Sequence, residues 1–107
     1  MSRHTLTDLA ATIAARRGAD ADASYTRSLL DAGIAKCARK FGEEATEAII
    51  AAMEKDKAAL RAEAADVLYH LLVLLEASDV SLAEVERELE GRIGRSGLEE
   101  KAARAKT

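Results

Sequence analysis

Five carboxylates occupy two short stretches that are otherwise mostly apolar. The stretches are KFGEEATEAII at residues 40–50 and EAADVLYHLLVLL at residues 63–75. The carboxylates are Glu43, Glu44, Glu47, Glu63 and Asp66. Like charges at helical spacing repel each other, so such a group calls for a compensating positive charge. Carboxylate oxygens are the preferred ligands of hard divalent cations, which makes the two stretches candidates for one metal site.

A helix over residues 34–53 sets the direction of the first three carboxylates. Its apolar residues recur on one face when each residue is given about 100° of rotation. Glu44 lies beside this apolar stripe and Glu47 about 60° further round, whereas Glu43 lies on the opposite, solvent side. The helix is therefore predicted to present Glu44 and Glu47 inward.

A second helix, over residues 57–77, is predicted to turn back on the first. Glu63 and Asp66 lie on the flank of its own apolar stripe. Folding the two helices antiparallel about the EKDK segment between them sets Glu44 level with Asp66. The same hairpin sets Glu47 level with Glu63. Helical phase and hairpin register thus select the same four carboxylates.

The four converging carboxylates predict a divalent-cation site. Two carboxylates about 5 Å apart repel by roughly 3 kcal/mol at an effective dielectric constant of 20. Mg²⁺ takes oxygen ligands and completes its shell with water and substrate phosphate oxygens. Zinc prefers nitrogen and sulfur ligands. We therefore expect Mg²⁺, with Mn²⁺ as a substitute.

Several of these patterns also have a purely structural interpretation. EExxE on a helix is typical of a solvated face, with Lys36 and Lys40 as partners along the helix. A single histidine on an apolar helix, His70, is typical of a hydrogen-bonded core residue. Three further residues are expected in the core, namely Cys37, Phe41 and Tyr69.

The composition favours a single all-α domain over residues 1–107. The chain has 49% hydrophobic residues, 3% aromatic residues and no proline, which favours helices over strands. Periodicity and capping residues predict helices over 5–16, 24–33, 34–53 and 57–77, and a further helix that opens at the SLAE capping box of residues 81–84.

The segment 67–75 is apolar on nearly every side, and a chain of 107 residues is too short to cover it alone. We therefore expect a homodimer in which antiparallel helical hairpins form a four-helix-bundle-like core. The net charge of −3 provides no positive field that would attract nucleic acid. The longest apolar run is far shorter than the ~20 residues that span a bilayer, and no secretion signal is visible. The single cysteine fits a reducing compartment, so a cytoplasmic protein without nucleic-acid or membrane partners is expected.

Two motifs resemble a known enzyme superfamily. EEATE followed by EAAD is similar to the EExxE…ExxD motif of the all-α nucleoside triphosphate pyrophosphohydrolases, the MazG-like superfamily. Together with SYTRSLLDAG at 24–33 and GLEEKAAR at 97–104, the stretches resemble more narrowly the phosphoribosyl-ATP pyrophosphohydrolase family. The resemblance covers most of the chain from Ser24 onward and does not extend to the first 20 residues.

The resemblance implies an Mg²⁺-dependent homodimeric enzyme that hydrolyses phosphoribosyl-ATP to phosphoribosyl-AMP and pyrophosphate, the second step of histidine biosynthesis. The family's metal ligands carry over onto Glu44, Glu47, Glu63 and Asp66. Catalytic roles are implied for Glu44, Glu47 and also Glu43, which would support the ligands from outside or help to activate water.

Three basic residues are candidates for holding the substrate phosphates: Lys40 and Arg27 first, then Lys36. Two other functions stay open at this point. One is a housecleaning hydrolase of ordinary or damaged nucleoside triphosphates that uses the same metal site. The other is a non-enzymatic helical dimerisation module whose carboxylates only solvate a surface. The SYT and GLEEKAAR segments favour the histidine pathway over the housecleaning reaction.

Overall fold

The described part of the chain is built entirely from helices. A computed structural model describes residues 4–20, 24–93, 97, 101 and 104. Its elements are α1 (Thr5–Ala15), a 3₁₀ turn (Arg16–Gly18), α2 (Tyr25–Ala32), α3 (Ile34–Met53), α4 (Lys57–Ala77) and α5 (Leu82–Arg92). The predicted all-α class is confirmed, and the predicted helices agree with the observed ones to within about one residue at each end.

Capping side chains explain where the helices begin. The Ser24 hydroxyl accepts a hydrogen bond from the Arg27 amide at 3.1 Å and starts α2. Asp56 accepts from the Ala59 amide at 3.0 Å and starts α4, as predicted. The predicted capping box at the start of α5 is also present. Gly33, with φ of 98°, separates α2 from α3 in a backbone conformation that other residues rarely adopt.

Helices α3 and α4 form the predicted antiparallel hairpin, and α1 and α2 pack against it. The core lies where these four helices meet and contains Ile13, Leu29, Cys37, Leu72 and Val73. The Cys37 thiol is fully buried and donates to the Leu29 carbonyl at 3.3 Å, and burial raises the pKa of this thiol. The core position predicted for Cys37 is confirmed.

The apolar 67–75 segment is covered in part by its own chain. Leu72 is 5% exposed and Val73 is fully buried in the core of the protomer, beside side chains of α1 and α2. Leu68, by contrast, is 42% exposed. Helices α1 and α2 therefore shield one side of the segment, and Leu68 on another side is left without cover from the described residues.

The GLEEKAAR segment lies largely outside the described residues, which include only Gly97, Lys101 and Arg104 of it. Within the described ranges, no helix has both the length and the apolar character needed to cross a membrane.

Candidate metal centre

Three carboxylates converge in the cleft between α3 and α4. Glu44 on α3 and Glu63 and Asp66 on α4 each offer an oxygen atom, and these atoms lie within 4.8 Å of one another. This spacing allows one small cation to contact all three groups. Glu44 meets Asp66 across the cleft, as the hairpin register predicts.

Glu47, the fourth predicted ligand, lies beside this group rather than inside it. It is absent from the set of oxygens within 4.8 Å, but its carboxylate adjoins that of Glu63. Both side chains line a surface pocket of about 220 Å³ near the hairpin turn, together with Ile50 and Glu54. The structure therefore brings three predicted ligands together and places the fourth next to one of them.

Within this cluster, Glu63 lies in an environment that disfavours its negative charge. Its Oε2 atom is buried and has no hydrogen-bond partner among the described residues. Burial, followed by the nearby carboxylates of Glu47 and then Glu44, raises the pKa of Glu63 to about 7. A divalent cation in the cleft would supply both a partner for Oε2 and the missing positive charge. An all-oxygen donor set with an unpartnered buried oxygen fits Mg²⁺ or Mn²⁺.

Glu43 lies apart from the converging carboxylates, as its helical phase predicts. Its side chain is exposed and pairs with Lys40, whose Nζ lies 3.2 Å from the Glu43 Oε2. This hydrogen bond, followed by an electrostatic contribution from Tyr25, raises the pKa of Lys40. Lys40 therefore stays cationic beside Glu43.

The other two predicted phosphate ligands lie elsewhere. The Arg27 Nε donates to both Asp31 oxygens at 2.9 and 3.0 Å, and its Nη1 donates to the Ala19 carbonyl at 2.6 Å. Arg27 thus ties α2 to the preceding loop. Lys36 is exposed and makes no ion pair with a described residue. Of the three basic candidates, Lys40 is the one that contacts the acidic groups of α3 within the described ranges.

His70 adds a polar group that the sequence did not identify as part of the site. It lies one turn beyond Asp66 on α4 and is 5% exposed, so its predicted burial is confirmed. The predicted hydrogen bonding is wrong for Nδ1, which has no partner among the described residues. Burial lowers the pKa of this imidazole, which keeps it neutral at pH 7. The ring of Tyr25 stands edge-on to it, with centroids 6.3 Å apart.

The sequence also matches a known protein family. A profile of the family described as phosphoribosyl-ATP pyrophosphohydrolase matches residues 6–92, which include both carboxylate stretches up to the end of α4. The chain belongs to this family. The resemblance noted in the motifs of α2, α3 and α4 is therefore confirmed. The match also begins within the first 20 residues, to which the motifs did not extend.

Relatives within the phosphoribosyl-ATP pyrophosphohydrolase family align over nearly their whole length. A protein of Paracoccus denitrificans is 64% identical over 96 residues, which are 90% of this chain and 89% of that protein. One of Dinoroseobacter shibae is 65% identical over 99 residues, covering 92% and 97%. One of Nitrobacter winogradskyi is 62% identical over 104 residues, covering 97% and 90%. All three are named phosphoribosyl-ATP pyrophosphatase.

The stability of this family member without metal is expected to fall as pH rises. The pKa of Glu63 is raised from an ordinary value of 4.5 to about 7, so its protonated form is favoured in the folded state. Its contribution to stability is complete below pH 4.5 and is lost as the pH rises through about 7. Urea unfolding in chelator between pH 4.5 and 8 should show this loss.

Glu63→Gln provides the matched control for this pH dependence, because the amide cannot ionise. As the pH rises, the free energy of unfolding of Glu63→Gln should increasingly exceed that of the wild type. If the free energy of unfolding depends on pH in the same way in both proteins, the raised pKa of Glu63 is contradicted. Saturating Mg²⁺ should remove much of the wild-type loss, since the cation binds the ionised carboxylate.

Proposed function

We propose that this chain hydrolyses phosphoribosyl-ATP to phosphoribosyl-AMP and pyrophosphate, with Mg²⁺ held by the carboxylates of α3 and α4. The observation that supports this most strongly is the convergence of Glu44, Glu63 and Asp66 in a member of the phosphoribosyl-ATP pyrophosphohydrolase family. The names of the relatives support the substrate. The predicted reducing environment supports a cytoplasmic location.

The reaction requires water to attack a phosphorus while negative charge builds on the departing pyrophosphate. Bound Mg²⁺ would neutralise phosphate charge and make water a better nucleophile. Glu44, Glu63 and Asp66 would hold the cation, which would bind the triphosphate beside them. Glu47 lies beside them and is exposed, which suits a carboxylate that completes the ligand set or accepts the proton of the attacking water.

Lys40, which pairs with Glu43, places a cationic group at one edge of this site. The Lys40 ammonium pairs with Glu43 one turn before Glu44, so it can also pair with a phosphate oxygen on that side of the metal cluster. Glu43 holds Lys40 in place through their ion pair and takes the supporting role expected from its position in the motif.

Phosphoribosyl-ATP should be hydrolysed at least about 100-fold more efficiently than ATP or any deoxynucleoside triphosphate, because buried polar contacts can discriminate by this factor. The measurement is kcat/KM for pyrophosphate release across the panel with Mg²⁺. Glu44→Gln, purified in the same way, controls for contaminating phosphatases. Equal turnover of dCTP or ATP would support the housecleaning reaction instead, and no turnover of any nucleotide would support the dimerisation module.

We further propose that the enzyme is a homodimer in which two α3–α4 hairpins pair. Large apolar side chains are exposed along this hairpin, with Ile49 at 63%, Ile50 at 50% and Met53 at 79%. An apolar helical surface of this kind is normally buried against another helix. A second copy of the hairpin would cover it and complete a four-helix arrangement.

A further inference from the structure

The side chains along the cleft between α3 and α4 change in chemical character from one end to the other. One turn from Glu44 towards the open end of the hairpin lies Lys40, and one turn from Asp66 in the same direction lies His70. The first residue of α2, Tyr25, stands at this end with its ring edge-on to that of His70. A ligand bound at the carboxylates and extending this way passes from acidic groups to an ammonium, an imidazole and an aromatic ring.

We propose that Tyr25 stacks on the purine base of the bound nucleotide and is a specificity-determining residue of this site. The inference rests on the proposed function, which places the triphosphate at the carboxylates. Lys40 and His70 complete the subsite between the triphosphate and the base.

Tyr25 is available for stacking, unlike the other aromatic residues. The chain has two tyrosines, one phenylalanine and no tryptophan. Tyr25 is 57% exposed, whereas Tyr69 and Phe41 are partly buried. The Tyr69 hydroxyl shares a hydrogen bond with that of Thr26, while the Tyr25 hydroxyl has no hydrogen-bond partner among the described residues. An exposed aromatic ring beside a phosphate site is the arrangement that proteins use to hold nucleobases.

His70 provides an independent reason to expect a ligand here. Its Nδ1 is buried without a partner in the described part of the chain, and its ring stands edge-on to Tyr69 at 4.9 Å and to Tyr25 at 6.3 Å between centroids. Buried polar atoms in folded proteins almost always have a partner. A purine edge presents ring nitrogens and an amino group, so a base stacked on Tyr25 would offer such a partner when the imidazole turns towards the cleft.

The end of the cleft near the hairpin turn is a less favourable place for the base and the second phosphate. Beyond Glu47 and Glu63, the pocket near the hairpin turn is lined by Ile50, Ala51 and Glu54. Phosphoribosyl-ATP carries phosphate groups on both sides of its base. Extension towards the hairpin turn would bring the second phosphate near Glu54, whereas extension towards Tyr25 leads past Lys40 to the start of α2.

Steady-state kinetics test the stacking directly. Tyr25→Leu should raise KM for phosphoribosyl-ATP about 10-fold, equivalent to about 1.4 kcal/mol, and leave kcat within about 3-fold. Tyr25→Phe keeps the ring and should retain a KM near the wild-type value. An unchanged KM in Tyr25→Leu overturns the proposal, and so does a Tyr25→Phe variant as impaired as Tyr25→Leu.

Intrinsic fluorescence tests the subsite without turnover. In Tyr69→Phe, Tyr25 is the only tyrosine and the protein has no tryptophan, so emission reports on this ring alone. AMP added with Mg²⁺ should quench the emission, and inorganic pyrophosphate should not. Tyr25→Phe, which emits only from Tyr69, corrects for light absorbed by the nucleotide.

The two experiments separate this inference from the proposed function. Quenching by AMP in a protein that does not hydrolyse phosphoribosyl-ATP would retain the base subsite and reject the reaction. Hydrolysis of phosphoribosyl-ATP with no quenching and no change of KM in Tyr25→Leu would retain the reaction and reject the subsite.

Discussion

Replacing Glu44, Glu63 or Asp66 by its amide should lower pyrophosphate release by at least about 100-fold while preserving or raising the melting temperature of the metal-free protein. Each group supplies an oxygen to the converging set within 4.8 Å, so its loss weakens cation binding and misplaces the triphosphate. The same change removes one negative charge from a cluster whose members repel each other. Each substitution should therefore lower activity without lowering stability.

The two glutamates beside this group should respond differently from each other. Glu47 adjoins Glu63, and Glu47→Gln should cost most of the turnover. Glu43 is exposed and pairs with Lys40, so Glu43→Gln should cost less. Each amide variant needs two measurements, pyrophosphate release with Mg²⁺ and thermal melting in chelator.

Glu54→Gln is the matched control for these amide variants, since Glu54 lies near the hairpin turn but outside the converging set. It should retain both activity and stability. Full activity in Glu44→Gln would contradict the metal site. A Glu43→Gln variant that is the most damaged of the set would show that the assigned roles of the neighbouring glutamates are reversed.

Most of the metal cluster was predictable because it depends on regular geometry. Helical phase alone orients Glu44, Glu63 and Asp66, and a short hairpin connection leaves one register for α3 and α4. The same reasoning predicted the exposed position of Glu43. Glu47 was less predictable, because an exposed side chain at the edge of a stripe can turn towards a neighbour or away from it.

The features that sequence reasoning missed depend on tertiary packing. The exposure of Tyr25 follows from how α2 is set against the hairpin after Gly33, which no local pattern specifies. The unpartnered Nδ1 of His70 likewise depends on which side chains surround it. The apolar 67–75 segment is buried only in part within the protomer, and its sequence does not distinguish cover by α1 and α2 from cover by a partner.

That distinction gives Leu72→Glu and Ile49→Glu different expected outcomes. Leu72 is 5% exposed within the protomer, so a carboxylate there would be buried without a partner. The cost is several kcal/mol, comparable to the roughly 5–15 kcal/mol that stabilise a typical domain. Leu72→Glu should therefore be largely unfolded at any protein concentration. Ile49 is 63% exposed and faces the proposed partner, so Ile49→Glu should leave the helices intact.

Circular dichroism and sedimentation of both variants and the wild type at micromolar concentration distinguish these outcomes. The wild type should sediment as a dimer and Ile49→Glu as a folded monomer, because the carboxylate would have to be desolvated in the interface. A monomeric wild type would reject the homodimer. A dimeric Ile49→Glu would place the interface away from this part of α3, and a fully folded Leu72→Glu would contradict the observed core. Since the three carboxylates come from one hairpin, the folded monomer should still bind Mg²⁺, and loss of binding on dissociation would show that the partner completes the site.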